Sequence, residues 1–411
     1  MHIAILTTGS RGDVQPYVAL GVGLQAAGHS VTIVTGASFA RFIIEYGLQH
    51  APLEPDLMAL LDTPEGRAAI AGRNPLGAMK KVRPLLRTML DQCWAATADA
   101  DMLVYNPKAL AGYHIAEKRG LPAVMAHPVP TFSPTAAFAV PAISLPTMGG
   151  TLNRLSYPLF LRAATASVRG IVNAWRREVL GLAPVRNEYL RDGQPVPTLY
   201  GCSPAIVPPP TDWPTTTVMT GGWLLDAPAW EPPTDLVAFL DAGPPPIYIG
   251  FGSMVGQDSA KLTVLVLDAL RHAGQRAVLA TGVGALTSAD GHDIYILDAA
   301  PHTWLFPRMA AIVHHGGAGT TAAAAHAGKP QIICPFFGDQ PFWGRRIAAL
   351  GAGLPPLPQK RLTVKQFATA LHHVHTDEQM RQRAADLGAR VQVKNGVGHA
   401  VHQIDALLQR G

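Results

Sequence analysis

The residues best placed to do chemistry lie in 312–328, which reads IVHHGGAGTTAAAAHAG. An apolar stretch ends at two histidines, a loop of small residues follows, and an alanine-rich segment from Thr320 reads as a helix. Glycines let backbone N–H groups come close to a ligand, and a helix N-terminus carries about half a positive charge, so the pair suits phosphate. His315 stands at the mouth of this cradle with a further ring N–H to donate, and Gly317, Ala318, Gly319 and Thr320 supply amides and a hydroxyl. An ordinary strand-to-helix turn accounts for the glycines but not for the histidine pair. The loop has neither the Walker pattern nor the dinucleotide fingerprint, so neither ATP nor a nicotinamide cofactor is expected. A second segment, 335–343 (PFFGDQPFW), places Asp339 and Gln340 among aromatics after a strand. They suit sugar hydroxyls, and Asp339 equally suits a helix N-cap ahead of Pro341. Weaker signals are the serine at the end of GFGSM, 250–254, and the loop 299–305, AAPHTWL.

These side chains need a scaffold, and the chain alternates strand and helix. Residues 2–7 read as a buried strand, 9–16 as a turn, 17–27 as a helix and 30–35 as a second strand, which makes a βαβ unit of a parallel sheet. The pattern recurs as strand 102–105, helix 110–119 and strand 123–126, and 197–202 reads as the last strand of this half. Prolines then cluster at 208–210, 214, 228, 232–233 and 244–246, and the alternation restarts at 247–251. The division expected is 1–207 as a first Rossmann-like domain, 208–235 as a linker region and 236–395 as a second such domain. Residues 396–411 form a final helix that can pack back on the first domain. Two doubly wound α/β domains facing a cleft would put ligands at the carboxyl ends of both sheets.

Composition sets outer limits. The chain has 411 residues, 48% of them hydrophobic and 15% charged, against about 25% charged in an average globular chain. Basic side chains exceed acidic ones by five, spread over both halves, which does not make a nucleic-acid footprint. A local basic run, Arg67, Arg73, Lys80, Lys81, Arg83 and Arg87, reads as a solvated helix face, with a membrane-surface patch as the alternative. The three cysteines, Cys93, Cys202 and Cys334, are far apart and outside any CxxC pattern, as in a reducing compartment. The start lacks the basic region of a signal peptide, and the apolar stretch 134–150 is broken by prolines. The expected location is therefore the cytoplasm, at most peripheral to a membrane.

The ordered series FGSM, then APHTWLFPRMAAIVHHGGAGTTAAAAHAGKPQIICPFFGDQPFW, resembles the donor-binding half of GT-B-fold nucleotide-sugar glycosyltransferases. It is most similar to sterol glucosyltransferases and to the macrolide and glycopeptide-antibiotic enzymes. The opening GSRGDVQPYVALG resembles their acceptor-domain start, and the likeness is weakest between about 50 and 200. What the resemblance implies is a metal-independent, inverting transfer of a hexose, glucose from UDP-glucose, to a hydroxyl of a hydrophobic acceptor such as a sterol, triterpenoid or macrolide-like compound. The nucleotide sugar is a co-substrate, and no cofactor is implied. Ser253, His315, Gly316, Gly317, Ala318, Gly319 and Thr320 then correspond to diphosphate ligands. Asp339 and Gln340 correspond to the sugar-reading pair, and Ala300 and His302 stand where the family holds the base. Asp13 corresponds to the proposed general base. Many members of the wider superfamily have a histidine at that turn, which this sequence lacks, so Asp13 is the candidate in the first loop; read alone, it is a turn residue.

The acceptor pocket is assigned to the proline-broken loop 127–150, with His127, Phe132, Phe138, Ile143 and Met148 as lining. Asp99 and Asp101 spell DxD, and His372, His373 and His375 cluster on one segment; both read as surface features without metal. Two alternatives to a transferase keep the same fold: a non-catalytic sugar-nucleotide-binding partner and a nucleotide-sugar epimerase. The oligomeric state is left open.

Overall fold

The computed structural model describes residues 1–54, 75–227, 229–252, 259–280 and 293–409. Among these, the first half builds a parallel seven-stranded sheet in the order β3-β2-β1-β4-β5-β8-β9. Its strands are β1 (His2–Leu6), β2 (Ser30–Gly36), β3 (Gln49–Leu53), β4 (Met102–Tyr105), β5 (Ala123–His127), β8 (Thr198–Tyr200) and β9 (Thr217–Met219). A two-stranded antiparallel pair, β6 (Leu190–Arg191) and β7 (Gln194–Pro195), stands apart. The second half builds a parallel five-stranded sheet in the order β12-β11-β10-β13-β14. These strands are β10 (Ile247–Gly250), β11 (Ala277–Ala280), β12 (Ile294–Leu297), β13 (Ile312–His314) and β14 (Gln331–Ile333).

The strands are apolar on both faces because helices cover both. Ile3 and Ile5 pack with Tyr17, Leu20 and Leu24 of the helix Arg11–Ala26, while Ala4 and Leu6, pointing the other way, pack with Leu86, Met89 and Leu90 of the helix Pro75–Ala96. In the second sheet Ile247 and Ile249 face the helices Ser259–Ala273 and Val364–Thr376, while Tyr248 faces Phe306, Ala323 and Ala324. The leucines after the basic run therefore serve the core, and Arg87 pairs with Glu178 at 2.6 Å. Arg67 and Arg73 lie outside the described residues.

Three differences from the sequence reading have physical causes. The first helix begins at Arg11, not at Tyr17, although Pro16 lies inside it. One missing N–H costs little beside the burial of Tyr17, Val18, Leu20 and Leu24. The first sheet does not end near residue 202, because β9 continues it from within the proline-rich stretch, with Thr217 opposite Thr198. The strands β3, β9 and β12 do not stand out in the sequence: β3 carries Gln49, His50 and Pro52 in place of an apolar run, and β9 and β12 are only three and four residues long.

The helix Gly396–Leu408 packs on the first half: Val401 and Ile404 join its core, and His29 Nε2 meets Asp405 Oδ1 at 2.8 Å. A Cβ on Gly23 would lie 2.3 Å from Val397 Cγ1, so a glycine is required for this approach. Between the halves, Tyr200, Ile206 and Met219 pack against Phe342, Trp343 and Leu387. Arg346 donates to the Ile206 carbonyl at 2.7 and 2.9 Å, and Arg345 to that of Leu145 at 2.8 Å.

Candidate active site

In an open parallel sheet the crevice opens where the strand order reverses. In the first sheet that point lies between β1 and β4, and in the second between β10 and β13. Asp13 follows β1 and His315 follows β13, so each stands at a switch point. Ser253, which follows β10, lies outside the described residues.

Asp13 sits in the first helical turn, not in a loop. Its Oδ2 accepts from the Ser10 backbone N–H at 2.9 Å and from the Ser10 hydroxyl at 3.1 Å, while Thr7 Oγ1 donates to its carbonyl at 2.7 Å. Gly9 makes room for it: φ is 131°, and a Cβ there would meet Asp13 Oδ2 at 2.4 Å. The other oxygen, Oδ1, pairs with Lys108 Nζ. Lys108 comes from the turn after β4, held by Asn106, whose Oδ1 accepts from the Lys108 N–H at 3.0 Å. A lone lysine in NPKAL gives no motif; the only signal for it is its place after the strand next to β1.

Lys108 reaches further than its partner. Burial chiefly, then the charge of Lys108, lowers the His127 pKa to about 4. His127 at the end of β5 is thus neutral at pH 7, and its Nδ1 lies 2.8 Å from the Val129 carbonyl. Asp339, across the cleft, has its pKa raised by burial, against the pull of the Trp343 indole, which donates to Oδ2 at 2.7 Å, and of the Lys108 charge. Asp13, Lys108, His127 and Asp339 therefore share one electrostatic neighbourhood.

Asp339 occupies the N-cap position of the helix Gln340–Ala349, but its carboxylate does not cap; the indole takes Oδ2 instead. Gln340 folds back, its Oε1 accepting from the N–H groups of Phe336 at 2.7 Å and Phe337 at 3.3 Å. Of the Gln340 side chain, the amide N–H groups remain as donors to a ligand.

On the cradle, the helix Ala318–His326 presents the amides of Ala318, Gly319 and Thr320 without intrahelical partners, as any helix start does. The Gly316 amide, assigned to the diphosphate by the resemblance, is instead spent on His314 Nδ1 at 3.0 Å. His314 is buried, its Nε2 bonding Gln331 Oε1 at 3.0 Å, and burial lowers its pKa to about 3. It is a neutral strut that fixes the loop. His315 lies beside Gly252 and Gly317, its Nδ1 is buried without a partner among the described residues, and burial lowers its pKa to about 4. His302 stacks on Phe306 at 4.2 Å, and burial, then His315 and then Arg11, lower its pKa to about 4. The Arg11 charge thus acts on the second domain from the first, although its guanidinium lies over the Phe42 ring at 4.2 Å and donates to Gln15 at 3.0 Å. Ala300 is half-buried beside Trp304, whose ring is covered by Arg308 at 4.0 Å.

The acceptor assignments divide. Phe132 stays near the site, edge-on to His127 at 5.0 Å and stacked on Tyr189 at 5.6 Å. Phe138 does not line a pocket with it; it packs on Phe342 at 5.5 Å and on Trp213, as part of the contact between the halves. Ile143 is partly buried in the same loop, and Met148 points outward. A small cavity beside the turn that carries Lys108 is lined by Tyr105, Leu110, Tyr113, Met125, Glu188 and Tyr189, with about 10 Å³ of room, enough for about one water. The Tyr105 hydroxyl is buried there without a partner among the described residues. Sequence reasoning missed this cavity, because its walls come from three separate segments. Away from the cleft, Asp101 accepts from the His2 N–H at 2.7 Å, and His373 meets Asp377 at 3.2 Å. Among the described residues no three His, Cys, Asp or Glu side chains gather as a metal set.

Two parallel sheets with facing switch points, one bearing an anion cradle, define the GT-B architecture. Residues 3–138 match the glycosyltransferase family 28 N-terminal domain, and residues 265–397 match the erythromycin biosynthesis protein CIII-like C-terminal domain. The chain has the GT-B fold of glycosyltransferases, each half matching one of these domain families, and is similar to sterol 3-beta-glucosyltransferases. It is 39% identical to the sterol 3-beta-glucosyltransferase of Neosartorya fischeri over 98% of its own length and 29% of that protein. The chain thus spans under a third of this relative. Solved structures share the fold at low identity. The glycotransferase of kitacinnamycin aligns with a TM-score of 0.73 at 18% identity over 99% of both chains, and the glycosyltransferase VinC in complex with dTDP with 0.67 at 19% over 100% of both.

Proposed function

We propose that the chain transfers glucose from UDP-glucose to a hydroxyl of a hydrophobic polycyclic acceptor, with inversion and without a metal ion. The observation that carries this reading is the placement of Asp13 and of the His315 cradle at the two facing switch points. The acceptor hydroxyl gives its proton to Asp13 as its oxygen bonds to the anomeric carbon. The bond from that carbon to the diphosphate breaks, and the electron pair leaves with UDP. The free amides of Ala318, Gly319 and Thr320 and a His315 N–H meet the charge that develops. His315 is neutral at pH 7 and acts as a hydrogen-bond donor rather than as a cation. Asp339 and the Gln340 amide are the sugar-reading pair in this scheme. Ser253 retains its proposed role as a diphosphate ligand. The similarity to sterol 3-beta-glucosyltransferases supports the donor and the acceptor class.

The test is incubation with UDP-glucose and a panel of sterols, triterpenoids and macrolides, read by mass. Addition of one hexose to a member of the panel is expected. UDP-glucose binding with no acceptor modified points to the non-catalytic reading, and conversion of the UDP-sugar alone, followed by proton NMR because an epimer has the same mass, points to an epimerase.

A further inference from the structure

We propose that the helix Gly150–Ala166 and its arginine rim dock the chain onto an anionic lipid surface. Leu152, Leu155 and Leu159 are 56, 50 and 65% exposed. Their spacing puts them on one helical face, while Asn153, Ser156 and Tyr157 on the other side are buried. Single exposed leucines are common, but three at helical spacing form a contiguous apolar strip that needs an occupant.

Charge identifies the occupant. From Lys118 to Arg177 the chain holds no aspartate or glutamate, but it holds Lys118, Arg119, Arg154, Arg162, Arg169, Arg176 and Arg177. Some of these are spent: Arg119 lies on Trp94, Arg154 pairs with Asp212 at 2.6 Å, and Arg176 with Glu117 at 2.7 Å. Arg162 is exposed on the helix itself, Arg169 at the start of the next helix donates to the Thr165 hydroxyl at 2.9 Å but has no acidic partner among the described residues, and the Arg83 guanidinium lies near Gly170. A second copy of the chain would bring these arginines together across an isologous contact, which like charges oppose. An in-plane helix at a bilayer has the opposite requirement: leucines below the headgroups and arginines among the phosphates. The docking stands independently of the sugar-transfer reading, although it would bring residues 127–149 and the first-domain side of the cleft close to a membrane-dissolved acceptor.

The experiment is co-sedimentation of the full chain with vesicles of phosphatidylcholine alone and with about 30% phosphatidylserine, at low and high salt. Binding to the anionic vesicles that weakens with salt is expected. Leu152→Ser, Leu155→Ser and Leu159→Ser combined should weaken it by about tenfold or more. Arg162→Glu with Arg169→Glu, which leaves the leucines in place, should lose only the preference for phosphatidylserine. Failure of the unaltered chain to sediment with anionic vesicles overturns the proposal. So does equal binding by the triple-serine chain, or a dimer dispersed by those serines in a chain that ignores vesicles.

Discussion

Asp13→Asn separates the chemistry proposed for this residue from its structural work. Asparagine keeps a side-chain oxygen for the Ser10 N–H, 2.9 Å away in the present structure, so the start of the helix survives. What is lost is a charge and a proton acceptor. The ion pair with Lys108, itself 52% exposed, is a screened contact of about 0.2–1 kcal/mol. The carboxylate at the helix N-terminus adds about 0.3–1 kcal/mol. Stability should therefore fall by about 1 kcal/mol in urea denaturation, too little to unfold a domain. A general base contributes about 10²- to 10⁴-fold, or about 3–5 kcal/mol of barrier. Single-turnover transfer read by mass should slow accordingly. UDP affinity, measured by calorimetry, should stay within about threefold, because the cradle belongs to the other sheet. Turnover within a few fold of the unaltered chain would remove Asp13 from the role of base, and a parallel loss of UDP affinity would assign it to the donor.

Three further outcomes follow from the same geometry. Gly9→Ala places a methyl where Asp13 Oδ2 now sits and strains a backbone with φ of 131°, so turnover should drop while UDP affinity holds. Gln331→Leu leaves the buried His314 Nε2–H without its acceptor, which costs about 1–3 kcal/mol. It should also raise the KM for the donor by loosening the loop, and an unchanged KM would deny His314 that role. Finally, His127, His302, His314 and His315 have folded pKa values lowered from 6.5 to between about 3 and 4. Their contribution to stability is complete above pH 6.5 and is lost as pH falls toward 4, on the order of 2 kcal/mol for each by pH 5. The urea midpoint should therefore drop steeply between pH 6.5 and 4.5; a flat profile contradicts the burial of these rings in neutral form.

The alternation of apolar strands with glycine turns was legible from His2 and from Ile247 onward, because parallel strands covered on both faces leave unbroken apolar runs. The cradle was legible because small residues after a histidine pair have few other uses. Asp13 was legible as a residue but not as part of a helix, since Pro16 reads locally as a breaker while the burial of Tyr17 and Leu20 that overrides it is a tertiary effect. Lys108 and Tyr105 were not legible at all. Each is ordinary in its own segment and acquires meaning only when β4 is laid beside β1. Phe138 carried the apolar signal expected of an acceptor pocket, but a contact between domains produces the same signal.

The proposed chemistry sets a base and a leaving diphosphate on opposite sides of one anomeric carbon, and the anomeric configuration of the product tests that most directly. With α-linked UDP-glucose and an acceptor that reacts, the proton coupling at the new glycosidic carbon should be that of a β-glucoside. An α-glucoside would contradict in-line attack assisted by Asp13.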